Sequence, residues 1–132
     1  MRRALKRSLV WAAGAVLLLG TGCEKTAPTG RDYTVRAQVV RPPDPAEGLY
    51  IYHEAIDDWT SRDGRVEGMD PMAMPFPVAE GVSLAEIQTN DKVEVTLHVD
   101  WEAETPYEIT RVRELPPETE LVFREAKPPR NP

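Results

Sequence analysis

From Tyr33 to Leu115 the chain alternates between apolar and polar positions in short runs separated by turn-forming residues. Tyr33, Val35, Ala37 and Val39 interleave with Thr34, Arg36 and Gln38, the period-two pattern of a half-buried strand. Arg41-Pro42-Pro43-Asp44-Pro45 stops it. A second short strand is predicted over residues 49–54, with Leu49, Ile51 and His53 on one face and Tyr50 and Tyr52 on the other. Residues 57–68 are charged and contain the turn pair Asp63-Gly64. Met72, Met74, Phe76 and Val78 share one face of a third strand. Ser83-Leu84-Ala85-Glu86 has the spacing of a capping box and predicts one or two helical turns. After the turn pair Asn90-Asp91, Val93, Val95, Leu97 and Val99 alternate with Glu94, Thr96, His98 and Asp100, the clearest strand of the chain, and residues 106–115 supply a fifth. No parallel crossover unit is evident. The expected fold is therefore all-β: a small five-stranded OB-type antiparallel barrel with one short helix.

The flanks read differently. Arg2, Arg3, Lys6 and Arg7 precede an uncharged stretch over residues 8–22 that ends in small residues before Cys23. That stretch is shorter than the ~20 residues a membrane-spanning helix needs, and residues 1–22 read as a signal peptide. Leu19-Gly20-Thr21-Gly22-Cys23 resembles a bacterial lipobox, with Gly20 where leucine is usual. That resemblance implies lipidation of Cys23 and a protein anchored in the bacterial cell envelope, facing the periplasm, without a transmembrane helix. Residues 23–32 are expected to be a tether, 33–124 the folded domain, and 125–132, with their Lys-Pro-Pro-Arg-Asn-Pro ending, a disordered tail.

Composition narrows the function. Cys23 is the single cysteine of 132 residues, which excludes an internal disulfide framework and cysteine-rich zinc sites. Thirteen prolines argue against a helical bundle. The formal charge is −6. Setting aside the four basic residues of the leader leaves 12 basic residues against 22 acidic ones, a net of −10. Such a surface excludes nucleic acid as a partner. There is no phosphate-binding glycine loop, no HExxH and no nucleophile elbow, so no enzyme is expected.

Three of the four methionines fall within six residues, Met69-Asp70-Pro71-Met72-Ala73-Met74. Met72 and Met74 are two apart on one strand, and the preceding strand ends in His53. If the two strands are neighbours, an imidazole and two thioethers converge, with Met69 just before them. Thioethers are soft, neutral ligands that suit Cu(I) and its chemical analogue Ag(I) rather than Zn²⁺, Mg²⁺ or Ca²⁺. The same spacing fits an apolar core stripe, because methionine fills cores and His53 shares its face with Leu49 and Ile51. Spacing alone leaves both readings open. His98, with Glu94 and Asp100 on the polar face of the fourth strand, fits a solvated face. Trp59, Trp101, Tyr107 and Phe123 are expected to pack. Tyr50, Tyr52 and the 57–68 loop offer an alternative, metal-free function as a face for a protein or glycan partner.

The segments Tyr52-His53-Glu54-Ala55-Ile56 and Gly68-Met69-Asp70-Pro71-Met72-Ala73-Met74-Pro75-Phe76-Pro77-Val78, with Asn90-Asp91-Lys92-Val93-Glu94-Val95, resemble the hallmarks of the CusF-like copper-binding family. The resemblance spans residues 33–115. It implies a small OB-type barrel, Cu(I) or Ag(I) as the bound ion, and His53, Met72 and Met74 as its ligands. It also implies a monomer that passes the ion to a copper efflux or copper-site assembly protein. The chain departs from the family at two places. Some members carry a tryptophan capping the metal where this chain has Met69, so Met69 is an additional candidate ligand. The connection over residues 57–68 is also longer, and its Trp59 is a second candidate cap.

Overall fold

The computed structural model describes residues 30–130. The signal peptide, residues 23–29 of the tether with Cys23, and residues 131–132 of the expected tail lie outside that range. Five strands form one sheet: β1 (Arg31–Val39), β2 (Leu49–His53), β3 (Ala73–Phe76), β4 (Lys92–Val99) and β5 (Tyr107–Glu114). The spatial order is β3-β2-β1-β4-β5, and every neighbouring pair is antiparallel. The register follows the alternation in the sequence. Tyr33 faces Leu97, Val35 faces Val95, and Ala37 faces both Val93 and His53. Each such pair places two buried side chains on the same face, all apolar except His53, which specifies the register because a one-residue slip would expose the whole row.

The core is this inner face: Val35, Ala37, Val39, Leu49, Ile51, Phe76, Val93, Val95, Leu97 and Ile109 are all buried. A bulge between Thr96 and Leu97 bends β4 against β5. Just past β3 the chain meets β5 again. The Ile109 N–H donates to the Pro77 carbonyl at 2.8 Å, and the Ala79 N–H donates to the Ile109 carbonyl at 2.9 Å. This is an isolated parallel bridge between Val78 and Ile109, not a ladder, so the sheet curls without closing.

Two sequence expectations change. No helix forms among the described residues. Residues 83–86 make turns, with the Ile87 N–H on the Leu84 carbonyl at 3.1 Å, and the Asp91 carboxylate takes the Gln88 N–H at 2.8 Å. A first helical turn fixes several residues for one hydrogen bond, and here Ile87 is instead drawn into the core. The third strand is also shorter than its apolar stripe. Pro71 and Pro77 flank β3 and Pro75 lies within it, where missing donors confine it to the sheet edge. Its exit, beside the start of β2, is tight, because a Cβ at Gly48 (φ +87°) would lie 2.0 Å from the Phe76 carbonyl oxygen.

The long connection over residues 57–68 extends the β2–β3 hairpin. Isolated bridges join Ile56 to Met69 and Thr60 to Val66, and a tight turn at Ser61–Arg65 closes the tip, with Gly64 at φ +85°. Trp59 is a core residue. Its ring lies 5.1 Å from Tyr33 and 6.0 Å from Trp101, while the Trp101 Nε1–H donates to the Thr60 carbonyl.

Residues 125–128, expected to lie in a disordered tail, are in fact fastened. The Ala126 N–H donates to Asp70 Oδ1 and the Lys127 N–H to Asp57 Oδ1, both at 2.8 Å. At the other boundary, Arg31 and Asp32 already belong to β1 rather than to a tether.

Candidate functional site

His53 closes β2. Its inward position follows from the alternation, since Leu49, Ile51 and His53 are the buried residues of that strand. It is fully buried and is the one polar residue of the core among the described residues. Nδ1 lies 2.7 Å from the carbonyl oxygen of Glu54. A carbonyl can only accept, so Nδ1 carries the proton and Nε2 is left as a bare lone pair. Nε2 is buried and has no hydrogen-bond partner. Burial lowers the His53 pKa below its ordinary 6.5, partly offset by the bond to Glu54, so the ring is held neutral. Phe76 meets the imidazole edge-on, with centroids 6.0 Å apart.

The methionines sit on the adjacent limb of the same hairpin. The His53 N–H reaches the Met72 carbonyl at 3.3 Å, which places Met72 directly across from His53. Met74 pairs with Ile51, so it is diagonal to His53 on the same inner face. Cross-strand neighbours have Cβ atoms about 5 Å apart and diagonal ones about 7–8 Å, within reach of a long thioether side chain. Met74 is half-buried against the core, whereas Met72 is 47% exposed. The group therefore runs from a sealed imidazole to an open thioether at the end of the sheet. Met69 is three residues further out, in a reciprocal hydrogen-bonded pair with Ile56 (both 2.9 Å), and packs partly against the core.

Among the described residues no three His, Cys, Asp or Glu side chains converge to hold a metal. The ligand-type side chains on the inner face of this hairpin are one imidazole and thioethers, while the carboxylates of Glu54, Asp57 and Asp70 are engaged by Arg36, Arg124 and the backbone of residues 122–127. His53 Nε2 has the chemistry of such a ligand: its lone pair has no hydrogen-bond partner, and the bond from Nδ1 to a backbone carbonyl is the usual way a ligating histidine is oriented.

The other sequence candidates fall into structural roles. His98 lies on the far face with Nδ1 2.7 Å from Asp32, and Glu94 pairs with Arg113. The tyrosines offered as a face for a protein or glycan partner are half-buried against neighbouring side chains. Phe123 stacks on Tyr52 at 4.2 Å, and the Arg41 guanidinium sits 4.3 Å from the Tyr50 ring centroid.

Sequence reasoning missed Glu54. Its carbonyl orients His53, and its carboxylate holds Arg36 at 2.6 and 2.9 Å and the Val122 N–H at 2.6 Å. The only signal for it in the sequence is its position next to His53. No family model, curated protein or solved structure matches the chain.

Proposed function

We propose that this protein binds Cu(I) or Ag(I) through His53 Nε2 and the thioethers of Met72 and Met74, with Met69 assisting. The observation that carries the reading is the buried, partnerless Nε2 on the same hairpin face as two methionines. A core histidine with no role would cost stability at that atom, since a buried unsatisfied polar group is worth about 1–3 kcal/mol of destabilisation. A soft monovalent ion converts the liability into a bond, and thioethers favour that ion over the harder divalent ones. The net charge of −10 outside the leader helps to attract a cation over short range.

In this reading the curled sheet is the wall of a small OB-type barrel that stays open, with the Val78–Ile109 bridge as the one contact that brings the end of β3 toward β5. The protein is a monomeric binding module of the bacterial envelope, anchored through a lipid on Cys23 and facing the periplasm. It hands its ion to a copper efflux or copper-site assembly protein by ligand exchange, a process with no covalent step and therefore no enzyme chemistry. Met72, the exposed thioether, is the ligand an incoming donor displaces first. X-ray absorption on the Ag(I)- or Cu(I)-loaded protein tests the donor set. The expected first shell is one nitrogen with two or three sulfurs, and a shell of oxygen and nitrogen alone would overturn it.

A further inference from the structure

After β5 the chain does not leave the domain. Residues 116–128 run along the outside of the β2–β3 hairpin as a strap. One end is held by Lys92, whose ammonium donates to the carbonyls of Pro117 (2.8 Å) and Thr119 (2.5 Å). The other end is fixed to both limbs that carry the candidate ligands. On the His53 limb, Val122 N–H meets Glu54, Phe123 stacks on Tyr52, and Arg124 grips Asp57 through both guanidinium nitrogens at 2.8 and 2.7 Å. On the Met72 limb, Ala126 N–H meets Asp70. Gly68 passes so close to the strap that a Cβ there would lie 2.9 Å from the Ala126 Cβ.

The place where the strap crosses matters. Direct pairing of the two limbs runs from Leu49–Phe76 to the His53–Met72 bond and resumes at Ile56–Met69. Between them one position goes unpaired: Glu54 gives its N–H to Arg36 on β1, as the alternation of a central strand requires, and no backbone bond joins Ala55 to Asp70 before Ile56 and Met69 pair. Glu54 and Asp70, beside this gap, each receive a backbone donor of the strap on their carboxylates, and Asp57 just beyond it receives a third, from Lys127.

We infer that residues 116–128 are a clamp across the ligand hairpin, with Phe123, Arg124 and Glu54 as positioning residues that keep the His53 and Met72 limbs together and so set how readily the site releases its ion. The inference rests on the proposed site for its consequence, while the clamp itself is a property of the metal-free protein. Arg124 and Asp57 form a bidentate charge-assisted pair, the strongest kind of side-chain hydrogen bond. The Phe123–Tyr52 stack adds apolar contact on the same stretch. Glu54 ties strap to ligand, because its carboxylate holds Val122 while its carbonyl holds the imidazole.

The experiment uses the full chain with Cys23→Ser, which removes the one thiol that would compete for a soft ion. Phe123→Ala/Arg124→Ala is compared with its parent, and Arg124→Ala alone serves as a milder cut. Amide exchange is followed in the metal-free protein. Exchange at Ile56 and Met69 is expected to accelerate about tenfold in the double variant, the factor that corresponds to losing a half-exposed ion pair together with an aromatic stack. Val95 and Leu97 in the sheet centre should be unchanged. In parallel, Ag(I) is loaded and its release to a chelating dithiol is timed, with release expected to quicken by a similar factor. Unchanged exchange at Ile56 and Met69 would overturn the clamp, and so would unchanged Ag(I) release from a loosened hairpin. If the parent takes up no Ag(I), the proposed metal site falls, and the exchange measurement still decides whether the strap clamps the hairpin.

Discussion

Replacing His53 with leucine separates a metal ligand from an ordinary core residue. Leucine fills similar space without polar atoms, in a position surrounded by Ile51, Phe76 and Ala37. The change removes the buried Nε2, which has no partner and costs about 1–3 kcal/mol. It also removes the Nδ1–H bond to the Glu54 carbonyl, worth about 0.5–1.5 kcal/mol. The Glu54 carbonyl, left without that donor, adds a further cost of the same order. The terms oppose each other and nearly cancel, so the metal-free variant stays within about 1 kcal/mol of its parent, a shift in melting temperature of no more than about 4–8 °C. Adding Ag(I) separates the two proteins. At a free ion level one hundred times the dissociation constant, the parent gains about 2.7 kcal/mol, and the variant, which cannot bind, gains nothing. The assay is thermal and urea unfolding of both proteins with and without Ag(I). A variant destabilised by about 2 kcal/mol or more without metal, as for truncation of a well-packed core residue, would refute the reasoning. So would a parent whose stability ignores the ion.

Two further perturbations test the frame around the site. Arg124, and then the Lys127 N–H, hold the Asp57 carboxyl well below its ordinary 3.8. A depressed carboxylate contributes stability that is fully present above 3.8 and is lost as pH falls below it toward the folded value. The strap should therefore stay docked through mildly acidic conditions and loosen only below that point, as followed by the Lys127 amide and Phe123 ring signals in NMR. Asp57→Asn should abolish the response, and release already complete near neutral pH would contradict it. Gly48→Ala should destabilise the fold by about 2 kcal/mol or more, because its Cβ would meet the Phe76 carbonyl at 2.0 Å in a left-handed backbone. Urea unfolding measures this, and an unchanged midpoint would show that the β2–β3 edge tolerates displacement.

The strands were legible because each has one buried face, and burial of one face writes itself as alternation. β4 is the plainest case, with Val93, Val95, Leu97 and Val99 buried and the residues between them less so. The juxtaposition of His53 with Met72 and Met74 was legible for the same reason, since two neighbouring strands with apolar inner faces have few compatible registers. Residues 83–86 misled because a capping-box spacing describes how a helix starts, not whether enough residues follow to sustain it. The strap was illegible. Lys-Pro-Pro-Arg-Asn-Pro has the composition of a tail, yet the groups that fasten the segment before it, Asp57 and Asp70, lie 56 to 70 residues away in sequence. Trp59 was expected to pack, but its place between Tyr33 and Trp101 depends on the hairpin extension folding back, which local pattern does not encode. Glu54 was hidden because its contribution to His53 is made by its backbone carbonyl, which every residue has.

The central claim is that His53, Met72 and Met74 hold a soft monovalent ion. An anaerobic titration with Cu(I) against a competing chelator, on the Cys23→Ser full chain and on its Met72→Leu/Met74→Leu derivative, addresses it most directly. Leucine keeps much of the side-chain volume, so each change should cost less than about 1.5 kcal/mol and leave the fold in place. The account predicts one equivalent bound by the parent and none by the still-folded derivative. Equal binding by both, or none by a folded parent, would contradict it and return the methionines to the role of core packing.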